Sequence, residues 1–362
     1  MKILSLFDGI SIAQQAFKEL GYEVEYYASE IDKNAIQITQ KNHPNTIQLG
    51  DIKDIDCTGG NLHYGRGRLA ETDIYFLIGG SPCQDLSIAK KNREGLDGKR
   101  SGLFWEYVRI LKELKPKYFV LENVASMPKE AKQTITETLW GIEPVMINAS
   151  LVSAQSRKRL IWVGKLVGDK YKKVEIAQPE DRGILLKDIL EENVEEKYNV
   201  KSVDFVEGGI GKKNDLHFIG GIRNKDWAKD GKNYSRNFGQ GDRVYSPDGK
   251  STTLSALGGG RGAKTGLYAV RSVYNKTLNY DKANTLGSNS QCQTAKTGQG
   301  LVDFDNQIVR KLTPTECCRL QSLPDGYCDG VSNTQQYKAL GNGFNCSVIK
   351  HILENIFRTN YL

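Results

Sequence analysis

The chain has 362 residues, a net charge of +7 and 39% hydrophobic residues, enough for a large domain, a smaller one and a buried core. No apolar run reaches the roughly 18 residues of a membrane span, and a strand-like segment opens the chain, so we expect no signal peptide and no membrane anchor. Seven cysteines without Cys-x-x-Cys spacing and four histidines disfavour a metal site and fit a reducing, cytoplasmic setting.

The first half of the sequence alternates strand-like and helix-like patterns. Helices are predicted up to residue 20 and at residues 33–41 and 102–114, and strands at residues 3–7, 24–29, 46–49, 74–78, 117–121, 144–151 and 160–166. Strands that alternate with helices form a mostly parallel sheet covered on both faces. Ligands of such sheets bind at the carboxyl ends of the strands.

The first three strand ends indicate a nucleoside pocket. The first strand ends in Phe7-Asp8-Gly9, where glycine lets the backbone approach a ligand closely. Glu30 ends the second strand, where a carboxylate binds ribose hydroxyls, and Asp51 ends the third. Because the first loop lacks a full Gly-x-Gly-x-x-Gly, S-adenosylmethionine fits better than a pyrophosphate ligand. Each acid taken alone is more often a helix cap or a loop residue.

The next two strand ends carry a thiol and a carboxyl group. Cys83 follows an apolar run and the sequence Gly-Gly-Ser-Pro, and Glu122 ends the following strand. Together they can perform nucleophile and proton chemistry on one substrate. Taken alone, Cys83 would more often be a small buried hydrophobe.

Eight blocks in this order resemble those of the DNA (cytosine-5)-methyltransferase family over nearly the whole chain. They are Phe7-Asp8-Gly9, Glu30, Asp51, Pro82-Cys83-Gln84, Glu122-Asn123-Val124, Gln155-Ser156-Arg157-Lys158-Arg159, residues 310–316 with 319–321, and Gly341-Asn342-Gly343. The resemblance implies a Rossmann-like α/β sheet that binds S-adenosylmethionine, with an inserted, β-rich target-recognition domain. It also implies methyl transfer to carbon 5 of a flipped-out cytosine in double-stranded DNA.

The resemblance assigns roles to individual residues. Cys83 would add to carbon 6 of cytosine, Glu122 would hold ring nitrogen 3 and the 4-amino group, and Arg159 would bind the oxygen at position 2. Arg157 and Arg159 are candidates to favour the thiolate, since a free thiol has a pKa of about 8.5. As an alternative, the two arginines are surface cations at the end of a loop. The residues implied to bind the cofactor are Phe7, Asp8, Gly9, Glu30, Ile31, Asp51, Ile52, Pro82 and Asn342.

Two departures from the family pattern concern the site. Ser81 stands where an aromatic residue or proline is common, and Ile31 stands where an aromatic side chain often packs on adenine. Residues 84–100 contain five cations and two glycines, which predicts a mobile loop that closes over the flipped base and holds phosphates. Without DNA it is a solvated charged loop.

The pattern changes between residues 168 and 308, where glycine, asparagine, lysine and tyrosine accumulate. We predict a recognition domain at 168–308 and a discontinuous catalytic domain at 1–167 and 309–362, which ends in helices at 312–323 and 347–357. Thr253-Leu254 recurs 32 residues later, which indicates two related β units or coincidence. Arg243 and Arg261 lie among glycines and are candidate DNA contacts. We expect a monomer.

Three other functions fit the sequence less well. A non-enzymatic DNA-binding relative would be expected to have lost Cys83 or Glu122, and both are present. Some members of this fold methylate tRNA, but the long insert favours a duplex reader. A small-molecule methyltransferase would need neither Arg159 nor an insert of about 140 residues. The sequence leaves open the target site and whether a restriction enzyme accompanies the protein.

Overall fold

A computed structural model describes residues 1–64, 68–70, 73–82, 101–200, 205–213, 216–222, 243–254, 267–271 and 307–358. Cys83, the predicted loop at 84–100, Arg261 and the second copy of the repeat lie outside these residues. The strands of the first half are β1 Lys2–Leu6, β2 Glu25–Ser29, β3 Ile47–Gln48, β4 Leu62–Tyr64, β5 Arg68–Ala70, β6 Ile74–Gly80, β7 Tyr118–Val124, β8 Val145–Asn148, β9 Lys158–Val167 and β10 Lys170–Lys173.

Eight of these strands form one large sheet in the order β10-β9-β7-β6-β1-β2-β3, with β8 also paired to β9. The neighbouring pairs β3-β2, β2-β1, β1-β6 and β6-β7 are parallel. Strand β9 runs antiparallel to β7, and both β8 and β10 run antiparallel to β9. The carboxyl ends of the parallel strands therefore meet at one edge, beside the start of β9. A separate hairpin is formed by β4 and β5.

Both faces of the large sheet are buried, as the continuous apolar runs predict. Along β6, Phe76 and Ile78 belong to one core cluster, whereas Leu77 belongs to the other. Side chains alternate between the faces of a strand, so a run without polar residues requires a helical layer on each side. The helices are α1 Ile12–Glu19, α2 Lys33–Asn42, α3 Phe104–Leu114, α4 Lys129–Thr138, α5 Pro314–Leu320, α6 Asn333–Asn342 and α7 Cys346–Arg358.

The start of α5 follows from the sequence. Thr313 is the N-cap, Pro314 is the first helical residue, and the hydroxyl of Thr313 accepts from the Glu316 amide. The sequence analysis did not predict α4 or α6. Gly341 and Asn342, part of the last block of the family resemblance, form the last turn of α6.

A second sheet of five strands contains β11 Phe205–Lys213, β12 Leu216–Ile222, β13 Arg243–Tyr245, β14 Leu267–Arg271 and β15 Gln307–Arg310, in that order. Its last strand connects directly to α5. There Arg310 forms a buried bidentate ion pair with Glu316 at 2.6 and 2.7 Å. Strand β10 belongs to the large sheet although it lies beyond residue 167.

Within the described ranges, no helix is both long enough and apolar enough to cross a membrane.

Candidate active site

The first loop is turned tightly against the end of β2. Phe7, Gly9 and Ser11 have φ values of 57°, 63° and 56°, in the left-handed region that non-glycine residues seldom occupy. The Asp8 amide donates to the Ser29 carbonyl at 3.1 Å. The Gly9 amide donates to the Glu30 carboxylate at 2.8 Å. The ends of β1 and β2 thus form one fixed unit.

Asp8 points into the protein rather than into solvent. Its side chain is buried and accepts from the hydroxyls of Ser11 and Tyr26, the latter at 2.8 Å. Burial raises the pKa of Asp8 to about 6, against the opposing effect of these hydroxyl hydrogen bonds. Its side chain therefore holds the loop in shape from within.

The Glu30 carboxylate is fixed by backbone amides. One oxygen accepts from Gly9, and the other accepts from Ile31 and Asp32, each at 2.8 Å. Ile31, the next residue, is 70% exposed. This is the arrangement expected of an acid that binds ribose beside an apolar surface for a base.

Asp51 lies half-buried at the end of β3 and caps a short 3-10 turn by accepting from the Lys53 amide at 3.0 Å. Ile52 is buried next to it. Asp51 is therefore a capping residue, as the alternative interpretation had it. The second oxygen of its carboxylate has no hydrogen bond assigned among the described residues.

The ends of β6 and β7 form the other side of the site. A Cβ atom on Gly80 would lie 2.9 Å from the Phe344 ring and 3.2 Å from the Glu122 carboxylate. Only glycine leaves room for both groups. Glu122 pairs with Arg159 on β9, with 2.7 Å between the carboxylate and Nε and only 14% and 15% of the two side chains exposed.

Glu122 and Arg159 line a small pocket. Its other walls are mostly apolar. They come from β8 and the residue after it, from β9, and from α7 and the segment before it, and they include Ile147, Ala149, Ile161, Phe344, Val348 and Ile349. A few polar groups at one end of an apolar cavity are typical of a site that orients a flat polar ligand. The sequence analysis did not identify Phe344, because a single aromatic residue after Gly341-Asn342-Gly343 carries no distinct signal.

Asn123 connects the ends of β6 and β7. It is 1% exposed, and its Nδ2 donates to Oγ of Ser81 at 3.0 Å and to the Ser81 carbonyl at 3.4 Å. Pro82 follows, half-buried, and is the last described residue before Cys83. In the sequence, Ser81 was only a departure from the family pattern. In the structure, its hydroxyl accepts the hydrogen bond that connects the end of β6 to Asn123 on β7.

Arg157 also lines the pocket, and its guanidinium is bound to main-chain carbonyls. It is 3% exposed and donates to the main-chain carbonyls of Leu254, Gly341 and Gly343 at 3.3, 3.1 and 2.8 Å. Asn342, between the last two, is exposed. The alternative of a surface cation is wrong for Arg157, because its guanidinium is buried.

Comparisons with known proteins agree with this geometry. Residues 1–358 match the family of C-5 cytosine-specific DNA methylases. The orphan methyltransferase M.Rho11sI of Bacillus phage rho11s is 32% identical over 75% of this chain, and the match spans 60% of that protein's length. The type II methyltransferase M.HhaI of Haemophilus parahaemolyticus is 27% identical over 98% of this chain and 94% of its own.

Two solved structures share the fold. The Entamoeba histolytica methyltransferase EhMeth superposes with a TM-score of 0.65 at 17% identity, over 99% of this chain and 98% of its own. The S. pombe Dnmt2 methyltransferase gives 0.61 at 14% identity over 100% of both chains. These likenesses confirm the predicted Rossmann-like fold class and, at such identities, nothing beyond it.

Proposed function

The chain belongs to the C-5 cytosine-specific DNA methylase family, and we propose that it methylates carbon 5 of a cytosine flipped out of duplex DNA through a covalent adduct with Cys83. The observation that carries this proposal is the Glu122–Arg159 pair at 2.7 Å, at the end of the strand next to the one that leads to Cys83. A carboxyl group and a guanidinium side by side match the edge of cytosine that bears nitrogen 3 and the oxygen at position 2.

Cytosine needs a nucleophile because its carbon 5 does not attack a methyl donor unaided. The Cys83 thiolate would form a bond to carbon 6, and the electrons of the ring would then make carbon 5 an enamine carbon. Glu122 would supply or share a proton at nitrogen 3 as charge develops there. Loss of the carbon-5 proton after methylation would break the bond between sulfur and carbon 6 and restore the free thiolate.

The anchored turn at Ser81 supports this role for Cys83. Asn123 fixes Ser81 to the end of β7, one residue from Glu122, so a nucleophile two residues after Ser81 starts from a fixed point. The base has to leave the helix to reach it, which costs a few kcal/mol. We propose that residues 84–100 close over the flipped base and that their cations hold phosphates.

The residues at the ends of β1, β2 and β3 fit S-adenosylmethionine. Glu30 presents a carboxylate already oriented by three amides, and the exposed Ile31 side chain offers an apolar surface for adenine. Asp51 would accept from the exocyclic amine, with Ile52, Phe7, Gly9, Pro82 and Asn342 as further contacts. When bound, this cofactor supplies the electrophilic methyl group. Asp8 would act indirectly, by shaping the loop.

We propose that target recognition belongs to residues 168–308 apart from β10, and catalysis to residues 1–167 and 309–362 together with β10. The second sheet, from Phe205 to Arg310, supports this division. Arg243 is exposed at the start of β13 and remains a candidate DNA contact, as does Arg261. Profiling Arg243→Ala and Arg261→Ala on a randomised duplex library should relax preference at one position if either residue reads a base.

The test of the function is bisulfite sequencing of plasmid DNA from cells that lack cytosine-5 methylation and express the chain. We expect methylated cytosines at one recurrent sequence, and none with Cys83→Ser, because an alcohol is far less ionised than a thiol. A duplex with 5-fluorocytosine at that site should trap the wild-type protein as an adduct stable to denaturation.

The same cells distinguish the RNA alternative. The amount of cytosine-5 methylation in total RNA should not exceed that in cells without the chain. Methylated RNA with unmethylated DNA would overturn the choice of substrate, and normal methylation without trapping would overturn the role of Cys83.

A further inference from the structure

Residues 246–254, called here the docking segment, connect the second sheet to the large domain. The segment follows β13 and runs beside the residues that precede β9. The Ser251 amide donates to the Ala154 carbonyl at 2.7 Å, and the Ser251 carbonyl accepts from the Ser156 amide at 2.8 Å. Two backbone hydrogen bonds therefore fix the middle of the segment.

A buried lysine strengthens this attachment. Lys250 is 4% exposed, and its Nζ donates to the carbonyls of Ser150, Ser153 and Ile184 at 2.7, 3.3 and 2.6 Å. A buried ammonium group that lost these acceptors would be costly, so the segment is held firmly in place.

Arg157 joins the end of the docking segment to the last block of the chain. One terminal nitrogen donates to Leu254, the last residue of the segment, and the other donates to Gly341 and Gly343. A guanidinium is planar and its donors have fixed directions. The three carbonyls can all stay paired only while their relative positions are kept.

Gln155 provides a second connection between the same two regions. Its Oε1 accepts from the Leu254 amide at 3.4 Å, and its Nε2 donates to the Leu320 carbonyl at 3.5 Å. Gln321, the residue after Leu320, donates from its side chain to the Leu340 carbonyl at 2.5 Å. Leu254 is thus linked to residues 340–343 through Arg157 and through Gln155 and the end of α5.

From this geometry we infer that Arg157 is a positioning residue that couples recognition of the duplex to binding of S-adenosylmethionine. The inference rests on the proposed function, in which the second sheet binds DNA and Asn342 completes the cofactor pocket. A duplex that favours one position of Leu254 also favours one position of Gly341 and Gly343, because Arg157 pairs with all three. Coupling between two sites is reciprocal.

The experiment is a calorimetric titration with S-adenosylhomocysteine, which binds without reacting. The dissociation constant is measured with and without a duplex that carries the site found by bisulfite sequencing. For the wild type we expect the duplex to tighten binding by a factor in the usual range of about 5 to 150. Arg157→Met donates no hydrogen bond, and Arg157→Lys has a single nitrogen in place of the two terminal nitrogens that bind Leu254 and residues 341–343. For both variants we expect that factor to fall towards 1.

Lys250→Met is the matched control, since Lys250 is also a buried cation that donates to three main-chain carbonyls, and these belong to Ser150, Ser153 and Ile184. It should lower the melting temperature while keeping the coupling factor. A role for Arg157 in stability alone would lower affinity equally with and without DNA. An unchanged factor in the folded Arg157 variants would overturn the inference.

A measurement on the wild type keeps the inference testable if the variants do not fold. Adding the duplex alone should slow amide hydrogen exchange in the peptide that contains residues 340–346. No change there, or a wild-type coupling factor of 1 with both ligands bound, would overturn the coupling but not the function. Failure to bind either ligand would instead overturn the proposed function.

Discussion

The two sides of the site hold their carboxylates in different ways. On the cofactor side, Glu30 accepts from three backbone amides, which are fixed by the fold itself. On the base side, Glu122 is held by a side chain, that of Arg159, rather than by backbone amides. The acceptor on the cofactor side is therefore preoriented by the fold. On the base side, the ion pair between Glu122 and Arg159 joins two side chains, and we expect a bound base to rearrange it.

This difference has a physical reason. Ribose hydroxyls do not change charge when they bind, so a rigid acceptor that costs little reorganisation suits them. A cytosine ring gains a proton and loses it during the proposed reaction, and an acid that serves it must change partners. The predictions that follow test whether binding and chemistry separate along this line.

The largest effect is expected from Glu122→Gln. Glutamine keeps the size and one acceptor of glutamate but has no proton to supply, so kcat should fall by about 10²- to 10⁴-fold. Affinity for S-adenosylhomocysteine should stay within about twofold. Steady-state methylation of a site-containing duplex measures this, with the exposed Glu130→Gln on α4 as the control. Wild-type kcat in the variant would remove Glu122 from the chemistry.

The second prediction concerns Asp8 on the cofactor side. Since burial raises the pKa of Asp8 from 3.8 to about 6, the folded protein binds this proton more tightly than the unfolded chain does. The contribution of Asp8 to stability is fully present below pH 4 and is lost as the pH rises through 6. Asp8→Asn removes this titration, so the variant should gain up to about 3 kcal/mol relative to wild type between pH 4 and pH 7.

Urea unfolding of both proteins at each pH measures that difference, because all other titrations cancel in the comparison. Parallel curves for wild type and Asp8→Asn would contradict the prediction. They would mean that the Asp8 carboxyl group keeps an ordinary pKa in the folded protein.

These residues also show how far the sequence carried the prediction. Apolar segments that alternate with helix-like segments predicted the sheet. A glycine or proline after an apolar run predicted the end of a strand. Those signals are local, and they placed Glu30, Asp51 and Glu122 at one edge. The burial of Asp8 was not predicted, because it depends on Tyr26 and Ser11 closing over it.

The hydrogen-bond partners of Arg157 could not be predicted from the sequence, for a different reason. Its partners lie 97, 184 and 186 residues away along the chain, and all are main-chain carbonyls. Backbone acceptors leave no mark in the identity of a residue. Arg159, two positions later, was predicted to bind the base, and its pairing with Glu122 agrees with a place in that pocket.

The third prediction sharpens the account of the cofactor side. Glu30→Ala should weaken binding of S-adenosylmethionine by about 1.5–3 kcal/mol, since it removes a charged acceptor and frees the Gly9 amide. Asp51→Ala should have a similar or smaller effect, because Asp51 is oriented by one backbone amide whereas Glu30 is oriented by three. Calorimetry on the folded variants tests both, with the exposed neighbour Asp54→Ala as control. Unchanged affinity in both variants would place the pocket elsewhere.

The smallest effect is expected from Ser81→Ala, which removes the hydroxyl that accepts from Asn123 at 3.0 Å. The buried amide keeps only its longer contact to the Ser81 carbonyl, so stability should fall by about 1 kcal/mol. Because Ser81 lies two residues before Cys83, kcat should fall several-fold while affinity for S-adenosylhomocysteine stays constant. Thr134→Ala, which removes an exposed hydroxyl bonded to a carbonyl on α4, is the control for loss of a hydrogen bond alone. Lower cofactor affinity with unchanged kcat would show instead that the end of β6 serves the cofactor side, and the division between the two sides would then have to be redrawn at Pro82.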